Sequence, residues 1–216
     1  MTVHDLTLPL ADGTAAGFGL PPARVRLWQP RPERGWWATE ILLPSHIGTH
    51  VDAPRHFLDD GGDVAGLDLD VLIGPAVVLD LRGRPDPAQV RLEDLQRAAP
   101  PPGVERWLLC TGWDAAAGTP RYFSDYPALS PETVDWLLDR GVRLLGLDTP
   151  TLGRRDNPGM HRRLLGAGLV VVEGLCGLAA LVGRTFTLCV LPPRLRGADG
   201  APVRAVAIDP EPGGPS

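Results

Sequence analysis

The chain has 216 residues, 44% hydrophobic and 22% charged, with a formal net charge of −5. It is long enough to bury a sizeable core, and one domain spanning 1–208 is the expectation. The charge leaves no electrostatic footprint for nucleic acid or an anionic membrane, and no apolar run approaches the roughly 18 residues of a membrane span.

All 21 basic residues are arginine. Chemistry that needs an amine, such as a Schiff base, a lysine-held pyridoxal or a P-loop, is therefore excluded. Cys110, Cys176 and Cys189 are odd in number and widely spaced, which argues against a disulfide framework and a Cys-rich zinc site. They read as small apolar residues, not nucleophiles. Met1–Asp5 lacks the basic and apolar regions of a signal peptide, so a cytoplasmic location is expected.

In chain order, Val3, Leu6, Leu8 and Leu10 alternate in part and predict a first strand, followed by a mobile Gly/Ala/Pro-rich loop. Val25, Leu27 and Trp28 open a second strand, and Ala38 to Leu43 form a third that delivers the chain to His46. Trp36 and Trp37 between them can line a pocket, a dimer interface or the core.

His46-Ile47-Gly48-Thr49-His50-Val51-Asp52-Ala53-Pro54-Arg55-His56 holds three of the five histidines and a carboxylate within eleven residues. Imidazoles and a carboxylate are the usual ligands of a borderline divalent metal. Pro44, Gly48 and Pro54 break any helix, so the spacing is not that of helical zinc proteases. A strand running into a tight loop turns His46, His50 and Asp52 toward one point, with His56 a short turn later.

Val71 to Leu81 is a buried-type strand in which Pro75 marks a bulge or an edge. Asp86-Pro87 predicts a helix through about Ala99, and Trp107 to Cys110 the next strand. Ser130-Pro131-Glu132 predicts a helix with Ser130 as its cap, closed by Gly141. Val142 to Leu147, a helix from Asn157-Pro158 to Gly166, and Leu169 to Val172 continue the series. Strand–helix–strand repetition implies parallel strands with right-handed crossovers, placing Thr111, Asp148 and Glu173 at their carboxyl ends. Thr185 to Leu191 and Val203 to Ile208 add two strands, and residues 209–216 read as a disordered tail.

Glu173 ends a buried strand, where a carboxylate is costly unless paired or bound to metal. The turn at Gly166–Gly168 can bring it near His161. With two carboxylates and three or four imidazoles, the chain can furnish one ion, or two bridged by a carboxylate. Arg154, Arg155, Arg162 and Arg163 either reach a substrate carboxylate or lie on a solvated helix face.

His46-x-Gly48-Thr49-His50-x-Asp52-Ala53-Pro54-x-His56-Phe57 resembles the signature of the metal-dependent cyclase family, which includes bacterial kynurenine formamidase and isatin hydrolase. The likeness continues through Thr111-Gly112-Trp113, Gly146 to Pro150, His161-Arg162, Glu173-Gly174-Leu175 and Asp199 to Ala205. It implies an α/β fold, a swivelling β/β/α domain of mixed, barrel-like strands with flanking helices, assembled as a homodimer. It implies metal ligation by His46, His50 and Asp52, completed by His161 and Glu173 as a two-metal site, and His56 as general acid/base. The family's Trp-Pro-Gly-Asp stretch, whose Trp contacts substrate, is replaced by Ala16-Gly17-Phe18-Gly19-Leu20-Pro21, which leaves Phe18 as the substrate-contacting aromatic. The Ser-x-Asp after Asp148-Thr149-Pro150 is also missing, so the pocket is altered.

The reading that follows is a hydrolase using zinc or manganese on an amide, formamide or lactam carbonyl. The alternative is a cyclase or dehydratase acting on a polyketide-like carbonyl intermediate. A third is a binding protein that keeps the site without turnover.

Overall fold

The computed structural model describes residues 1–29, 35–84, 86–98 and 100–209. The first half contributes β1 (Thr2–Asp5), β2 (Arg24–Gln29), β3 (Ala38–Leu42), β4 (His50–Asp52), helix α1 (Leu69–Leu72), β5 (Ile73–Asp80), β6 (Gln89–Val90), α2 (Leu92–Ala98) and β7 (Arg106–Cys110). The second contributes β8 (Ala128–Leu129), α3 (Thr133–Asp139), β9 (Leu144–Leu147), α4 (Asn157–Gly166), β10 (Val170–Glu173), β11 (Thr185–Leu191), β12 (Gly200–Pro202) and β13 (Arg204–Asp209).

Nine strands form one mixed sheet in the order β1-β13-β11-β5-β7-β9-β10-β4-β12. The central β5, β7, β9 and β10 run parallel, as the strand–helix series predicts. Antiparallel strands extend the sheet on both sides. This is the expected α/β class, a mixed sheet with flanking helices.

Side-chain parity divides the core into two layers. Val77, Leu79, Trp107, Leu109, Leu145, Leu147 and Val171 face one way and pack under α2, α3 and α4 through Leu95, Val134, Leu137, Met160 and Leu164. Val78, Leu108, Cys110, Leu144, Val170 and Val172 face the other way, against Leu6, Leu72, Leu175, Leu178 and Leu181. Alternation sends successive residues to opposite faces. Because both faces are buried, these strands read in sequence as continuous apolar runs.

Several boundaries differ from the sequence reading. The first strand stops at Asp5, beyond which Thr7 makes only an isolated bridge to Leu175. The Gly-rich loop after it is held by Gly13 N–H donating to Ala23 O and Ala23 N–H donating to Thr14 O. β3 pairs only with β2, in a separate ribbon, and Leu43–Thr49 is loop before β4 rejoins the main sheet.

The helix expected from Asp86 begins at Leu92, because Gln89–Val90 pairs in parallel with β8. Its start is fixed by Asp94, whose carboxylate accepts the Arg91 N–H, one half of a capping box. The helix expected to be capped by Ser130 begins at Thr133, with Glu132 in the cap position, and Ser130 contributes only its carbonyl, which accepts the Thr133 N–H. Pro75 precedes by one residue the point where β7 begins to pair with β5, so the strand is locally an edge there. Asp209, placed in the tail by sequence, belongs to β13 and lies opposite Thr2, while residues 210–216 lie outside the described residues.

The cysteines are free, and burial pushes the Cys110 thiol up to about 12 and Cys176 to about 11, which suits structural and not nucleophilic sulfur. No helix among the described residues is long and apolar enough to cross a membrane.

Candidate metal centre

β4 lies between β10 and β12, and its register sets the site. His50 stands opposite Glu173 and Asp52 opposite Val171 on the antiparallel neighbour. Val51 belongs to the layer away from the helices and Val171 to the layer beneath them. Alternation therefore turns His50, Asp52 and Glu173 toward the helical face. There α4 supplies His161, buried beside Met160, Leu164 and Leu165. Residues more than a hundred positions apart meet because the two strands are neighbours.

The donor atoms are spaced as ligands. His161 Nε2 lies 3.2 Å from Glu173 Oε1 and 3.4 Å from Asp52 Oδ2, and His50 Nε2 lies 3.5 Å from Glu173 Oε2 and 3.6 Å from Asp52 Oδ1. Tetrahedral bonds of about 2.0–2.1 Å would set neighbouring donors about 3.4 Å apart. Asp52 is buried, and its Oδ2 faces His161 Nε2 at 3.4 Å without a well-aligned hydrogen bond. A buried carboxylate oxygen left in that state is costly unless a cation takes it up.

The outer contacts fix the tautomers. His50 Nδ1 donates to Gly48 O at 3.0 Å, and His161 Nδ1 donates to Asn157 O at 2.9 Å. A carbonyl can only accept, so in the neutral rings both Nε2 lone pairs face the carboxylates. The residues present thus fit a divalent ion.

Burial opposes charge on every member, yet pairing prevails. It would lower the histidines, but hydrogen bonds to Asp52, with Asp199 or Glu173, raise His46 to about 9 and His161 to about 10. Burial likewise pushes the Asp52 and Glu173 carboxyls up, and the surrounding imidazoles hold both below the usual carboxylate range. Without an ion the cluster stores protons, and an entering cation displaces them.

His46 is tied differently. Its Nδ1 is 2.9 Å from Asp52 Oδ1 and its Nε2 is 2.9 Å from Asp199 Oδ2, both hydrogen-bond distances. It can join His50 and Asp52 in one ligand group. Gly200 leaves it room, since a Cβ there would come within 2.7 Å of His46 Cε1.

Asp199 also accepts from His56 Nδ1, at 3.2 Å, while the His56 ring stacks on His46 with centroids 3.8 Å apart. The sequence places Asp199 within the family likeness but assigns it no role, because an Asp between Ala198 and Gly200 reads as a turn residue. The backbone bond from Ala53 N–H to Asp199 O, at 2.9 Å, explains its position.

These groups open into a cavity of about 1130 Å³. Phe18 lines it, exposed and edge-on to Phe123 with ring centroids 5.9 Å apart. The four arginines near α4 do not line it: Arg154 donates to Tyr126 O, Arg163 pairs with Asp135, Arg155 is exposed, and Arg162 lies 6.0 Å from the Phe57 ring centroid. Trp36 and Trp37 are exposed and outside the cavity, which rules out core packing.

A latch joins the two halves of the site. Thr49 Oγ1 donates to Gly174 O at 2.5 Å and accepts from Leu8 N–H at 2.8 Å. Gly174 sits at φ +68°, where a Cβ would be 2.3 Å from Gly48 O. Gly174→Ala is expected to cost about 1–2 kcal/mol for the left-handed backbone alone. It would also push the His50 loop off Glu173, lowering both melting temperature and metal affinity. Thermal unfolding and zinc titration check this, and an unchanged affinity would contradict the latch.

The family model described as "Putative cyclase" matches residues 4–154. Kynurenine formamidase of Bacillus mycoides (strain KBAB4) is 32% identical over 206 residues, covering 94% of this chain and 95% of the relative. Isatin hydrolase A from Ralstonia solanacearum superposes with a TM-score of 0.84 at 24% identity, covering 95% of this chain and 91% of that one. A structure described as a potential metal-dependent hydrolase with cyclase activity gives 0.80 at 23% identity, covering 98% and 99%. These last two likenesses concern the fold. On the family match and the full-length kynurenine formamidase alignment, the chain belongs to the cyclase family.

Proposed function

We propose that the protein is a metal-dependent hydrolase that opens an amide, formamide or lactam carbonyl with water. The observation that carries this is the division of two buried carboxylates between two groups of imidazoles. Asp52 turns Oδ1 toward His46 and His50 and Oδ2 toward His161, and Glu173 turns one oxygen to His50 and the other to His161. That division supports a reading in which His46, His50, Asp52, His161 and Glu173 would hold one or two ions, zinc or manganese. A divalent ion bound there would acidify water and polarise a carbonyl.

The chain's own residues then handle the proton. Burial holds His56 below the usual histidine value, so its imidazole is neutral at neutral pH. His56 Nδ1–H donates to Asp199, leaving the Nε2 lone pair to take a proton from the attacking water and pass it to the departing nitrogen. The carbonyl enters from the cavity onto which His50, His161 and Glu173 face.

Similarity to the kynurenine formamidases supports the C–N hydrolase reading. The exposed Leu27, Trp28, Trp36, Trp37, Ile41 and Leu42 of the β2–β3 ribbon support a homodimer, the assembly implied by the family resemblance.

Zinc- or manganese-loaded protein is expected to convert aryl formamides to products heavier by one water. Chelation should abolish turnover and re-addition of the ion restore it. Product mass and metal analysis check this together. An unchanged mass, or loss of water, would favour ring closure or dehydration, and metal bound without turnover of any carbonyl compound would favour a binding protein.

A further inference from the structure

Away from the candidate ligands the cavity is mostly apolar, with Asp12, Thr14, Thr119, Thr151 and Asn157 as polar exceptions. Its wall is built from Leu8, Leu10, Phe18, Leu20, Phe57 and Phe123. No arginine lines it among the described residues, and the chain has no lysine. The carboxylates that line it are Asp12, Glu173 and Asp199. Ions at the centre would offset the last two and leave Asp12, an exposed carboxylate that accepts the Val25 N–H, as the remaining negative charge on the wall.

Its volume of about 1130 Å³ exceeds the roughly 300–1,000 Å³ of ordinary ligand pockets, room for more than one ring. Phe18 stands in the left-handed region at φ +50°, between Gly17 and Gly19 at φ +78° and +80°, and 60% of it is exposed. A bulky side chain in that conformation is strained and here gains little burial, so packing does not account for it.

We propose, resting on the hydrolase reading above, that the site takes uncharged, extended, largely apolar aryl carbonyl compounds and rejects those carrying a carboxylate remote from the reacting carbonyl. Such a carboxylate would lose its hydration against apolar walls, find no guanidinium and face Asp12. An aryl group finds Phe18 and Phe123 presented edge to face, a geometry into which a further ring packs favourably.

Two non-hydrolysable ketones test this apart from turnover: 4-acetylbiphenyl and 4′-acetylbiphenyl-4-carboxylate, titrated calorimetrically into the metal-loaded protein. The carboxylate is expected to bind at least tenfold more weakly. Leu20→Arg should narrow that gap to under threefold, and Phe18→Ala should weaken the neutral ketone about tenfold. Equal or tighter binding of the carboxylate to the unaltered protein overturns the proposal. Turnover of the matching formamides is read separately. Preference without hydrolysis of either formamide defeats the hydrolase reading alone, and hydrolysis without preference defeats this one alone.

Discussion

Replacing His56 by alanine is expected to lower kcat by about 10²–10⁴-fold while metal content stays at the level of the unaltered protein. The two halves of that result have separate causes. His56 lies outside the Asp52–His161–Glu173 group, whose oxygens and nitrogens are 3.2–3.4 Å apart, so removing it leaves those ligands in place. What is lost is the imidazole that Asp199 orients through Nδ1, and with it the proton for the leaving nitrogen. Steady-state kinetics with metal analysis of the same preparation decides the point. Full activity would remove His56 from the chemistry. Loss of the ion would instead make it a ligand, through the group it forms with His46 and Asp199.

Asp52→Asn is expected to lose both metal and turnover, with affinity falling on the order of 100-fold or more, beyond what outer contacts alone account for. Asparagine fills the same space, so the variant can keep its fold while losing the charge that faces His46, His50 and His161. A second readout needs no metal. Hydrogen bonds to Asp52 help hold His46 near 9 and His161 near 10 against burial, so both should titrate at lower pH in the metal-free variant. NMR titration of the imidazoles measures this. Unaltered affinity together with unaltered histidine titration would show that Asp52 does not bridge.

The sequence exposed the chemistry better than its assembly. The density of imidazoles between His46 and His56 is legible because those residue types share one use. Glu173 is legible because a carboxylate after three valines needs a partner. The parallel series from β7 to β10 follows from alternating strand and helix signals.

The pairing of β4 with β10 is not legible, since three residues, His50–Asp52, carry too little pattern to announce a strand. Without that pairing the loop around His46 can be drawn only as the end of β3. Asp199 escaped for a related reason: its role depends on β12 lying against β4, far away in sequence. The helix drawn from Asp86 failed because tertiary pairing with β8 claimed Gln89–Val90 ahead of local capping signals.

The two-layered sheet gives the candidate ligand residues a duty apart from any chemistry. In β4, Val51 belongs to one layer, and His50 and Asp52 point to the other. A slip of one residue against β10 would exchange them, forcing an imidazole and a carboxylate into hydrocarbon and leaving a valine over the polar centre. Misalignment at this short strand is therefore heavily penalised before any ion or substrate arrives. The same two ionisable side chains proposed to hold the ion keep the strand from docking out of step.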